Sequence, residues 1–116
     1  MSDCIFCKLV NGEIPTEFLY EDEHVVAFRD ASPLAPVHVL VVPKAHHRDI
    51  LDNVPAQTLA SVAEAIKTVV DTTGIRDSGF RVITNTGKEG GQSVMHLHFH
   101  ILGGRPLNAT FGEEEL

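Results

Sequence analysis

Residues 95–104 read MHLHFHILGG, and the spacing of His96, His98 and His100 decides how the rest of the chain is read. On a helix His96 and His100 would share a face while His98 pointed away. On a strand all three lie on one side, with Met95, Leu97, Phe99 and Ile101 on the other. The second arrangement separates polar from apolar groups, so Ser93–Leu102 is expected to be a strand with one face in the core, ended by Gly103-Gly104. A face bathed in water more often carries Thr, Lys, Glu or Ser, and three imidazoles about 7 Å apart would repel one another if protonated. The pattern therefore points to chemistry. Two kinds fit: a three-histidine metal centre, or a phosphate-processing site with one histidine as nucleophile.

Working outward, TGKEGGQ (Thr86–Gln92) is a glycine-containing turn that feeds this strand, and Phe80–Asn85 is a strand before it. The segment Pro55–Thr73 is a helix: Leu59, Val62, Ala63, Ile66, Val69 and Val70 recur at three- and four-residue spacing. Pro55 suits its first turn and Gly74 the residue just past its end. VHVLVVP (Val37–Pro43) is short and rich in β-branched residues, as a buried strand would be. Phe18–Glu21 and Val25–Arg29 flank the acidic turn Asp22-Glu23-His24 as a hairpin. Ile5–Asn11 forms a short helical turn ended by Gly12. About five strands, mostly sequential neighbours, with one long helix argue for an α+β domain on an antiparallel sheet.

The 116 residues make one domain, 1–116, whose end at 113–116 is part of an acidic tail. Sixteen acids against nine bases leave a net charge of −7. That balance gives no footprint for a nucleic-acid polymer, although a locally positive site can still take a small phosphorylated ligand. No apolar run approaches ~18 residues, and the N-terminus lacks the charged-then-apolar order of a signal peptide. A cytoplasmic protein without a membrane partner is expected. Its two cysteines, Cys4 and Cys7, are spaced to hold half a zinc site or to be ordinary buried thiols. A disulfide does not suit a reducing compartment. Of the remaining histidines, His24 reads as exposed in its turn, His38 needs a partner among the valines of its strand, and His46 and His47 follow Pro43-Lys44 in a loop.

At this point the motifs support a resemblance. The run His96-Leu97-His98-Phe99-His100-Ile101-Leu102 is similar to the signature of the histidine triad superfamily, and GGQSVMHLHFHILGGRPL (90–107) resembles its HINT branch. FRDASPLAPVHVLVVPKAH (28–46) and IFCKLVNGEIP (5–15) resemble the branch's upstream segments in the same order. The resemblance implies a five-stranded antiparallel sheet with one long helix and a short N-terminal helix, in a homodimer whose sheets join. It also implies a purine nucleotide substrate and hydrolysis of nucleoside phosphoramidates at the α-phosphate, releasing nucleoside monophosphate and an amine.

Carried over residue by residue, the resemblance makes His98 the nucleophile that forms a nucleotidyl-histidine intermediate. His100 and Ser93 would sit on the phosphate or leaving group, with His38 as an adjacent proton relay. Asp30 would take the ribose hydroxyls. Asn85, Gly91 and Gln92 would line the phosphate and ribose region, and Ile5, Phe6 and Phe28 the slot for the base. Some bacterial members hold a structural zinc with a C-x-x-C pair and two histidines. Here that set is Cys4, Cys7, His46 and His96, with His47 as a substitute for His46. The chemical step itself needs no cofactor. Ala31 stands where the branch has a larger aliphatic residue, and the chain has no Trp, so base fit and leaving-group preference do not transfer. Two other functions compete: cleavage of dinucleoside polyphosphates, from which the residues flanking the triad point away, and nucleotide-dependent regulation with incidental turnover.

Overall fold

VHVLVVP forms strand β3 (Val37–Pro43), the middle of a five-stranded antiparallel sheet, in a computed structural model that describes residues 3–107. The acidic tail lies outside the described residues. The other strands are β1 (Tyr20–Glu21), β2 (Val25–Arg29), β4 (Phe80–Ile83) and β5 (Phe99–Gly103), in the order β1-β2-β3-β5-β4. Two helices complete the chain: α1 (Ile5–Val10) and α2 (Ala56–Thr73). This is the α+β architecture expected. Among the described residues no helix is long and apolar enough to cross a membrane.

Alternation along the strands builds two cores, one on each face of the sheet. Val25, Ala27, Val39, Val41, Phe99 and Ile101 pack with Val62, Ala65, Val69 and Val70 of α2. Val26, Phe28, Leu40 and Val42 face the other way and meet Phe6 and Leu9 of α1. Register carries this second face across the sheet: Phe28 pairs with Leu40, Leu40 with His100, and His100 with Ile83. A six-residue helix cannot cover five strands, so part of the second face stays open.

Three expectations are corrected in detail. The regular strand begins only at Phe99, and residues 93–98 form a bent segment; Met95, assigned above to the core side, is 47% exposed. The buried stripe of α2 is Thr58, Ser61, Val62, Ala65, Val69 and Val70, while Leu59 and Ala63 face solvent. Ser61 is accommodated on this face by a hydrogen bond to the Asp22 side chain, beside the small Thr58 and Ala65. Pro55 precedes the first turn as its cap residue rather than lying within it. Gly74 ends the helix as expected, with a left-handed φ of 77° and its N–H bonded to the Val70 and Asp71 carbonyls. At the end of β5, a Cβ on Gly103 would come within 2.7 Å of Ile75 Cδ1, so a larger residue there would require the tip of the Ile75 side chain to move.

Candidate active site

Three histidines reach the open face by different routes. His100 lies on β5 opposite Leu40 of β3, and His38 lies two residues earlier on β3. His98 and His96 sit on the bent segment that leads into β5, pinned by three backbone contacts. The Leu97 N–H donates to the His47 carbonyl at 2.6 Å, and the Thr84 hydroxyl donates to the His98 carbonyl at 2.8 Å. Gln92 supplies the third: its amide nitrogen donates to the Arg48 and Val94 carbonyls at 2.7 and 3.0 Å. Its oxygen accepts from the Gly87 N–H at 2.9 Å. In the turn upstream, a Cβ on Gly90 would lie 2.4 Å from the Thr86 carbonyl oxygen, which explains glycine there.

A carbonyl or an N–H beside an imidazole nitrogen reveals which nitrogen holds the proton, because a carbonyl only accepts and an N–H only donates. His98 Nδ1 lies 2.8 Å from the His96 carbonyl, so it carries the hydrogen and Nε2 keeps a lone pair. His38 Nδ1 accepts from the Leu34 N–H at 3.1 Å, which puts the hydrogen on its Nε2. That Nε2 donates to His100 Nδ1 at 2.9 Å. The hydrogen of His100 is thereby forced onto Nε2, a buried atom with no partner among the described residues. Neighbouring imidazoles thus finish in opposite states: a bare nitrogen on His98 and an N–H donor on His100. Burial pushes all three toward the neutral form, His100 down to about 4, with Asp30 opposing the shift in each. The geometry of Asp30, His38 and His100 would also suit a metal ion. However, the Leu34 N–H holds the His38 proton on the nitrogen that would have to bind, and a hydrogen-bond relay fits this trio better.

His98 and His100 close one end of a pocket of about 440 Å³. Its apolar part is formed by Ile5, Phe6, Leu9, Ile14, Phe28 and Leu40; the polar end adds Asp30 and Ser93. Phe6 stands edge-on to both Phe28 and His98, with ring centroids 5.9 and 5.1 Å apart. Asp30 Oδ1 accepts from the Ser32 N–H at 2.7 Å, leaving Oδ2 toward His38 at 3.5 Å. Ile5, Phe6, Phe28, Asp30, Ser93, His98 and His100 are thus brought together as expected. Asn85, Gly91 and Gln92 do not line the pocket, and the Gln92 carboxamide is spent on the backbone. Leu9, Ile14, Thr16 and Leu40 line it without having been singled out. The four-residue spacing of Ile5 and Leu9 was the available signal for one of them.

His96 turns away from the pocket. Its Nε2 donates to the Pro43 carbonyl at 2.9 Å, which leaves a lone pair on Nδ1, and burial pushes its pKa down to about 4. Nδ1 lies 3.2 Å from Cys4 Sγ and 3.6 Å from Cys7 Sγ, and Cys7 Sγ lies 3.3 Å from His46 Nδ1. All four donor atoms fall within 4.8 Å of one another. Zn–S near 2.3 Å and Zn–N near 2.0–2.1 Å in a tetrahedron place sulfur and nitrogen about 3.5 Å apart, so the donor set fits zinc. The Pro43 carbonyl is the outer partner that a ligating imidazole requires. His47 does not join: its Nδ1 donates to the Asp52 carbonyl at 3.0 Å, and His46 is the histidine beside the thiols.

Residues 11–107 match the family model of the HIT domain. The chain is 39% identical over 117 residues to a purine nucleoside phosphoramidase of Escherichia coli K12, covering 98% of each protein. It is 41% identical over 105 residues to the protein HitA of Neisseria gonorrhoeae, covering 89% of this chain and 97% of that one. Among solved structures, a HIT family hydrolase from Clostridium thermocellum superposes with a TM-score of 0.88 at 41% identity, covering 95% of this chain and 97% of that one.

Proposed function

The chain belongs to the HIT family, and on that premise we propose that it is a purine nucleoside phosphoramidase working through a nucleotidyl-histidine intermediate. The observation that carries this reading is the pairing of a bare His98 nitrogen with an orphaned His100 N–H at the end of one pocket. A nucleophile needs the first, and a phosphate oxygen gathering charge needs the second. The flanking slot of Phe6 and Phe28 suits a flat base, and Asp30 has acceptor capacity for ribose hydroxyls.

The chemistry balances as two displacements. The His98 Nε2 lone pair forms a bond to phosphorus as the P–N bond to the amine breaks; that electron pair leaves with the amine nitrogen, which takes a proton passed from water by the Ser93 hydroxyl. The His98 ring is now cationic, and its Nδ1–H bond to the His96 carbonyl strengthens. Water then attacks phosphorus, the P–Nε2 bond breaks, its electron pair returns to the ring, and the water proton passes to solvent. Nucleoside monophosphate and amine are released. The His38–His100 relay keeps an N–H directed at the phosphate throughout, because any other proton placement would oppose the Leu34 N–H.

Cys4, Cys7, His46 and His96 would hold zinc, which there would supply a structural tie between α1, the loop after β3 and the histidine segment. The exposed edge strand β4, with Phe80 and Val82 each 40% exposed, supports the homodimer implied by the sequence resemblance. A cysteine pair arranged with two histidines for a metal accords with a cytoplasmic setting.

The test is release of AMP from adenosine 5′-phosphoramidate by wild type and His98→Ala, before and after chelation. Turnover that survives chelation and disappears in His98→Ala is the expected result. Turnover retained by folded His98→Ala would overturn the reading.

A further inference from the structure

The relay that fixes the His100 donor begins at the Leu34 N–H, and Leu34 is gripped at its other end as well. Its carbonyl accepts from Arg105 Nη2 at 2.8 Å, across 71 residues of sequence. Arg105 is exposed and does not line the nucleotide pocket. It follows Gly104, whose φ of 94° is left-handed and where a Cβ would come within 2.9 Å of the Pro36 ring. Glycine there lets the chain leave β5 against the loop before β3 and turn the arginine back over it. Within that loop Pro33 has its φ fixed by its ring, and Pro36 biases Ala35 toward extended backbone. The torsions of Leu34 then decide where its N–H points. His38 Nδ1 holds that N–H at 3.1 Å, and Arg105 holds the carbonyl by a charge-assisted bond.

We propose that Arg105 is a positioning residue, which keeps the proton order of the His38–His100 pair without touching substrate. The two rings admit two orders. In the first, both carry hydrogen on Nε2: His38 donates to His100 Nδ1 at 2.9 Å, and His100 offers an N–H to the pocket. In the reverse order both hydrogens sit on Nδ1, His100 donates to His38, and His100 Nε2 is bare. The net charge is the same. The reverse order sets the His38 Nδ1–H against the Leu34 N–H, donor against donor, and gives a phosphate oxygen a lone pair where it needs a hydrogen. Asp30 Oδ2 also favours the first order, but at 3.5 Å from His38 Nε2 it is too long a contact to decide it. The deciding group is the Leu34 N–H, and Arg105 keeps it aimed. The effect on turnover rests on the phosphoramidase reading; the proton order does not.

The experiment records the ring nitrogen NMR shifts of His38 and His100 in ligand-free wild type and Arg105→Met, at about pH 8 where imidazoles are neutral. AMP release from adenosine 5′-phosphoramidate is measured on the same proteins. Wild type should show both rings protonated on Nε2. Arg105→Met should bring the Nδ1 forms of both rings into exchange and lower kcat about two- to tenfold, the worth of one hydrogen bond, with KM little changed. Arg105→Lys keeps a cationic donor and should recover most of both. Unchanged ring shifts in folded Arg105→Met overturn the proposal, even where kcat or melting temperature falls, because Arg105 would then be a structural contact only. The shifts are read without substrate, so expected tautomers in a wild type that releases no AMP overturn the phosphoramidase reading alone.

Discussion

The two faces of the sheet use the same alternating strands for opposite ends. Toward α2, Val25, Val39, Val41 and Ile101 are fully buried against an 18-residue helix, and the layer is apolar and closed. Toward α1, a six-residue helix covers Val26 and Val42 and stops, leaving a pocket whose polar end holds neutral imidazoles. One face stabilises by area removed from water. The other gives up area to keep His98 and His100 in contact with a cavity, and holds them with hydrogen bonds instead. The lesson is that a site can be made by under-covering one side of a sheet that is already secured from the other.

The sharpest way to break this division is His98→Ala. AMP release should fall by about 10⁴-fold or more, as for loss of a covalent nucleophile. Its urea midpoint should stay near that of wild type, because the α2 face is untouched. The mirror experiment is Ile101→Ala, which should cost about 2–5 kcal/mol of stability in urea titration. That is a large share of the roughly 5–15 kcal/mol available to a domain, yet kcat of the folded protein should barely change.

Between these extremes lies Cys4→Ser. It removes one donor of the zinc set, so elemental analysis of the purified protein should find zinc in wild type and little in the variant. Melting should come earlier as α1 loses its tie. Phe6→Ala should raise KM for the phosphoramidate about tenfold, the worth of a base–aromatic contact and its covered area, with a smaller loss in kcat.

Lowering the pH gives the mildest test. His96 and His100 are held near 4 and His38 and His98 below their usual value, so the folded protein resists protonation where the unfolded chain accepts it. Stability should therefore be level above about pH 6.5 and fall from there toward about 4. Melting curves across that window check the sign, and Ile101→Ala should shift the profile down without changing its shape. A profile flat to pH 4.5 would show that the histidine face is not buried neutral. Because the acid limb of kcat/KM reports His98 losing its lone pair, that limb should lie below pH 6.5.

The sequence alone determined the strand alternation, the long helix and the family, because these depend on local spacing and on side-chain order that tertiary contacts only reinforce. It also brought out the histidines, the cysteine pair and the aromatic slot. What it could not decide was direction. Gln92 read as a nucleotide contact and serves as a backbone staple, since whether a carboxamide faces a ligand or a loop depends on carbonyls 2 and 44 residues away. Met95 read as core and lies in the open, because the segment before Phe99 bends. The choice of His46 over His47 beside the thiols likewise required the fold. Most of all, proton placement in the relay was settled by the Leu34 N–H and the His96 carbonyl, backbone groups that occur in every sequence and acquire meaning only when folding sets them beside a ring.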